Sequence, residues 1–110
     1  MLPMMLACSS SDDEPNSSLV GTVWECYEKW NDIEGSRIIS FKTKTSCHVK
    51  VWEKVDGFDD YTSEAVGTYE YEDDLVIITW QDGYVESGVI SGNKMTLTDE
   101  DGYTETFTKK

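Results

Sequence analysis

Carboxylates and aromatic rings are the groups in this sequence with the most chemistry to offer. Asp99-Glu100-Asp101-Gly102 and the segment Asp56–Asp60 each crowd several oxygen donors into a short span. Calcium takes donor sets of that kind. Neither run has the spacing of an EF-hand loop, so Asp99 and Asp101 stand as candidate ligands and calcium as the candidate ion. The rings of Trp30, Phe58, Tyr61, Trp80, Tyr84 and Tyr103 lie close to acids in the sequence. Rings beside carboxylates suit cations, which gain Coulomb and cation–π attraction. They also suit sugars, which stack on ring faces and donate hydroxyl hydrogens to carboxylates. Asp59 and Asp60 with the six rings are therefore the candidate ligand-binding residues.

Catalytic signatures are lacking. His48 is the sole histidine, and the chain has no Gly-x-Ser-x-Gly, no phosphate-binding glycine loop and no His/Cys cluster for zinc. Paired acids of the glycosidase kind are expected by chance among 22 Asp and Glu. No catalytic residue, enzymatic activity or cofactor other than calcium is expected. Nine Lys and Arg leave a net charge of −13. Phosphate binding needs basic surface, so nucleic acid is a poor partner. Cations, cationic peptides and neutral ligands remain.

The elements that would position these residues are strands. From Gly21 onward, short β-branched and aromatic runs are each stopped by turn residues. They predict strands over Thr22–Trp30, Arg37–Lys42, Ser46–Val55, Ser63–Tyr71, Leu75–Trp80, Tyr84–Ile90, Lys94–Thr98 and Tyr103–Lys109. The breakers between them are too short for a parallel crossover, so successive strands should pair antiparallel. An eight-stranded meander hides its edges by closing into an up-and-down barrel, with a two-sheet β-sandwich as the alternative. Alternation predicts an interior of Trp24, Cys26, Ile39, Phe41, Cys47, Val49, Val51, Gly67, Tyr69, Tyr71, Leu75, Ile77, Val85, Ser87, Val89, Met95, Leu97, Tyr103 and Phe107. Glu86, Ile38, Trp52, Val76 and Ile78 then face out. Alternate turns share one end of a meander, so the candidate rings gather at a single mouth with Asp32, Glu34, Asp56, Asp59, Asp60, Asp82, Asp99, Glu100 and Asp101, while the turn Glu72-Asp73-Asp74 falls at the other end.

Cys26 and Cys47 fall on strands one and three and face inward. Strands two places apart are about 9.5 Å apart, too far for the roughly 7 Å a disulfide spans. Buried free thiols are expected.

Cys8 differs from both. Apolar residues, then Met5-Leu6-Ala7-Cys8, then the abrupt polar run Ser9–Glu14 match a bacterial lipoprotein cleavage site. Residues 1–7 read as a truncated signal segment, residues 8–18 as a lipidated cysteine with a disordered linker, and residues 19–110 as the barrel domain. No stretch approaches the roughly 20 apolar residues of a membrane span, so the membrane would be held through acyl chains, palmitate among them. Ser9–Glu14 also resembles the serine-plus-acid tag of surface-exported lipoproteins in some Gram-negative bacteria. The resemblance implies a place in the cell envelope, anchored at the outer membrane, with exposure on its surface as the further expectation.

The opening Leu19-Val-Gly-Thr-Val-Trp24, the eight strands, Gly67-Thr-Tyr69 and Gly92-Asn-Lys-Met-Thr-Leu97 together resemble the small bacterial lipocalin-like lipoproteins. The family opens Gly-x-Trp, whereas two residues separate Gly21 from Trp24 here; a bulge at Val23 would restore the register. The resemblance implies a small barrel binding a small ligand or glycan at its acidic, aromatic mouth. The alternative is a filled, non-catalytic scaffold that docks another envelope protein through Ile38, Trp52, Val76 and Ile78.

Overall fold

A computed structural model describes residues 18–110. Cys8, residues 1–7 and nearly all of the segment 8–18 lie outside the described residues. The domain is all β: β1 Val23–Trp30, β2 Ile33–Phe41, β3 Ser46–Val55, β4 Tyr61–Glu72, β5 Leu75–Trp80, β6 Val85–Ser91, β7 Lys94–Thr98 and β8 Thr104–Lys109. Each strand pairs antiparallel with the next, and β8 returns to β1 to close the barrel. The meander and its closure agree with the sequence reading; the sandwich alternative does not apply.

Turn chemistry sets the register, and several turns are tighter than expected. Asn31, at φ 55°, helps form a two-residue turn that pairs Trp30 with Ile33. β2 therefore starts at Ile33 rather than Arg37. Asp73 and Asp74 both have positive φ, at 53° and 69°, as a type I′ hairpin requires. Glu72 then pairs with Leu75, and Tyr71 with Val76. Cross-strand partners share a face, so this turn directs Val76 inward and Leu75 outward.

A one-residue slip flips every side chain of a strand. The expected interior residues Leu75, Ile77, Val85, Ser87 and Val89 are accordingly corrected: Val76, Ile78, Trp80, Glu86 and Ile90 are the buried set on β5 and β6. The turn at Gly92-Asn93 is also two residues long, pairing Ser91 with Lys94. It restores the expected parity for Met95 and Leu97, both buried. Tyr103 lies before β8 and is exposed. No bulge occurs at Val23; β1 and β2 pair continuously from Val23↔Ser40 to Trp30↔Ile33.

The core fills one half of the barrel. Trp24, Ile39, Phe41, Val76, Met95, Leu97 and Phe107 are essentially inaccessible to solvent. Phe41 meets Tyr69 edge-on at 4.7 Å between ring centroids, a favoured aromatic geometry. Leu19 covers this end: the Gly21 N–H donates to Phe41 O at 2.8 Å, and Thr22 Oγ1 to Leu19 O at 2.6 Å. Trp24 Nε1 donates to Thr22 Oγ1 at 2.9 Å, and the Tyr69 hydroxyl to Thr43 O at 2.6 Å. Gly88 lets β6 and β7 approach closely, since a Cβ there would lie 1.7 Å from Thr96 O. Cys26 and Cys47 are buried free thiols.

Candidate functional site

The interior changes character within one or two inward positions along several strands. Going from the closed end on β2, Phe41 and Ile39 give way to Arg37; on β8, Phe107 gives way to Glu105; on β6, Gly88 gives way to Glu86. Register places Ile78 opposite Glu86, and Leu97 opposite Glu105. Arg37 Nη2 donates to Glu86 Oε1 at 2.8 Å, and Nη1 to Glu86 Oε2 at 3.1 Å and to Glu105 Oε1. Trp80 Nε1 adds a bond to Glu86 Oε1 at 2.8 Å. Among the described residues Glu86 is the one buried charged residue of the core, 5% exposed, and these donors satisfy it. Burial opposes the charge on Arg37, yet Glu86 and Glu105 hold its guanidinium above its ordinary pKa. The guanidinium also lies 5.5 Å from the centroid of the Phe107 ring, where the network meets the apolar core.

Above this floor the lumen is open. A cavity of about 520 Å³ is lined by Arg37, Glu86, Glu105, Trp80, Tyr84 and Tyr103, with Val49, Ala65, Gln81, Asp82 and Asp99. A smaller lobe of about 220 Å³ shares Arg37 and Glu105 and runs past Cys26, Glu28, Trp30, Ile33 and Glu53. Burial raises the Cys26 thiol to about 11, with help from Glu105 and Glu28. Tyr84 is pushed up to about 12 by desolvation, then by its hydrogen bond to Asp99 and the field of Asp101 and Glu100. Tyr103 rises too, chiefly through Glu28 and Glu105. A negative field thus spans the mouth.

The structure sorts the expected site residues. Trp80, Tyr84 and Tyr103 meet at the larger cavity, and Trp30 borders the smaller lobe. Trp80 is a buried wall and not an exposed rim residue. Phe58, Tyr61, Asp59 and Asp60 line neither lobe. Phe58 and Tyr61 are exposed, and Asp60 Oδ2 accepts a 3.0 Å bond from Trp52 Nε1 on the outer face. Asp99 Oδ1 accepts from the Asp101 and Tyr103 N–H groups at 2.9 Å, which fixes the β7–β8 turn. The Tyr103 bond is also the main reason its carboxyl stays below the ordinary range. His48 lies on the outer face, its Nε2 2.9 Å from Glu64 Oε1.

The outward docking patch is corrected as well. Val76 and Ile78 belong to the core, while Leu75, Ile77 and Val89 are the exposed apolar residues on those strands. Sequence reading missed Arg37, Glu86 and Glu105 as site residues. Arg37 and Glu105 share the parity of Ile39 and Phe107, which was a usable signal. Glu86 was concealed by the Asp73-Asp74 turn.

No family model matches this sequence, and no curated protein matches it. Among solved structures, a porin-like protein from Bacteroides uniformis is similar over 83% of this chain, at 20% identity and a TM-score of 0.36. The match covers 39% of that protein, so the chain spans about two fifths of its length.

Proposed function

We propose that this chain is a lipocalin-like, non-catalytic binding barrel of the bacterial envelope, which takes a small ligand or glycan into its open half. The carrying observation is the cavity of about 520 Å³ above a rigid charged floor, walled by Trp80, Tyr84 and Tyr103. Sites of about 300–1,000 Å³ with aromatic walls and a few fixed polar groups are the usual form of small-molecule pockets. The floor is held by the hydrogen bonds of Arg37 and Trp80 to Glu86, so a ligand would meet a preorganised surface.

Tethering is read from Leu6-Ala7-Cys8 and the polar run behind it. Leu19 packs at the closed end, so a lipid anchor on Cys8 would leave the open mouth facing away from the membrane. A flat tryptophan fluorescence response to sugars, amines, lipids and calcium would defeat the binding reading, because Trp80 lies in the cavity wall. Mass spectrometry of the mature protein checks the anchor: a diacylglyceryl and acyl mass on an amino-terminal Cys8 is expected, and an unmodified Cys8 would remove the tether.

A further inference from the structure

The floor of the lumen carries more negative charge than it neutralises. Glu86 and Glu105 share one guanidinium, that of Arg37. On the β1 side, a Glu105 carboxylate oxygen, a Glu28 carboxylate oxygen and Cys26 Sγ converge, all within 4.8 Å of one another. Among the described residues each lobe of the lumen is lined by four carboxylates, Glu105 being common to both, and Arg37 is the one Lys or Arg lining either. Glu105 is largely buried while Glu28 is exposed, so water screens their mutual repulsion only in part. A ligand that brings a positive charge would relieve that repulsion. Arg37 is already engaged by two carboxylates, so it offers little to an anion.

We propose that the open half of the lumen binds the primary ammonium group of an organic amine, seated among Glu28, Glu105 and Cys26 in the smaller lobe, with its carbon chain passing Glu105 into the larger lobe beside Trp80, Tyr84 and Tyr103. This rests on the lumen being a ligand site. An ammonium group has three N–H donors, and three acceptor atoms meet at the seat. The rings of the larger lobe give the chain apolar contact. Two observations favour an amine over a bare metal ion. Burial and the two neighbouring carboxylates keep the Cys26 thiol protonated, whereas a metal would need the thiolate. The two lobes that meet at Glu105 are also far larger than an ion requires.

Calorimetry and tryptophan fluorescence on the intact protein test this with cadaverine, its diol analogue pentanediol, glutarate and zinc chloride. Cadaverine is expected to bind about tenfold or more tightly than the diol or glutarate, and more weakly at high salt. Glu28→Gln is expected to weaken cadaverine about tenfold with an unchanged melting temperature, since Glu28 is not a partner of Arg37. Glu105→Gln should weaken it as well. If the diol or a sugar binds and cadaverine does not, the amine assignment is overturned while the lumen remains a binding site. Silence from every compound overturns both. Zinc binding in place of cadaverine, or cadaverine binding indifferent to both substitutions, also overturns the assignment.

Discussion

The two halves of this barrel are built from the same strands and filled in opposite ways. At the closed end Trp24, Phe41, Met95, Leu97 and Phe107 pack without accessible surface. At the open end, on the same strands or their neighbours, the inward positions hold Glu28, Arg37, Glu86 and Glu105 around empty volume. A domain of this size has little stability in reserve. Concentrating the apolar side chains in one half leaves the other free to keep charge and space. The Arg37 network is the boundary, with one face on Phe107 and the other on the cavity.

That division can be broken from either side. The largest effect is expected from Phe41→Ala, which should remove about 3–5 kcal/mol as measured by urea denaturation. Arg37→Ala should follow at about 3 kcal/mol, because it strands buried carboxylates without their partner. Replacing Arg37, Glu86 and Glu105 together by Met should recover most of that loss. Failure to recover would mean the ion network itself organises the open half.

High pH gives a smaller and more selective probe. Both thiols are raised from an ordinary 9.0 to about 11, Cys47 by burial alone and Cys26 also by Glu105 and Glu28. A raised folded pKa stabilises fully below the unfolded value. Stability should therefore hold up to pH 9.0 and fall as pH rises through about 11, by roughly 1–2 kcal/mol per thiol. Glu28→Gln should bring the Cys26 ionisation down and leave Cys47 unmoved, a difference readable from thiolate absorbance in the single Cys→Ala variants. The smallest effect belongs to the rim. Phe58 is 75% exposed, and Phe58→Ser should change stability by no more than about 0.5 kcal/mol.

The closed half was largely legible in the sequence and the open half was not. Alternation on β1 to β4 and on β7 placed Trp24, Phe41, Cys47, Tyr69 and Met95 inside, because apolar side chains advertise a buried face. Charged side chains advertise a solvated one. Arg37 and Glu105 were passed over on that ground although their parity pointed inward. Glu86 was lost for another reason. Counting Glu72-Asp73-Asp74 as a three-residue turn inverted β5 and β6, and counting Ser91-Gly92-Asn93 likewise set β7 right again. The two one-residue differences cancel beyond β6, so the inversion is confined to β5 and β6, where it hides Glu86 and misplaces the core residues Val76, Ile78 and Ile90. Positive φ at both Asp73 and Asp74 is what local composition did not reveal.

The closure between β1 and β8 differs from the other junctions of the wall. Its ladder has two register pairs, Trp24↔Lys109 and Glu25↔Thr108, both at the closed end. Other neighbouring strands share five or more. Beyond those two rungs no register pair joins β1 to β8; a hydrogen bond between Cys26 and the Thr106 backbone still crosses the slit, and Glu28 lies beside Glu105 there. Widening the slit breaks no rung of the ladder, so the β1–β8 seam is the least laced junction of the wall.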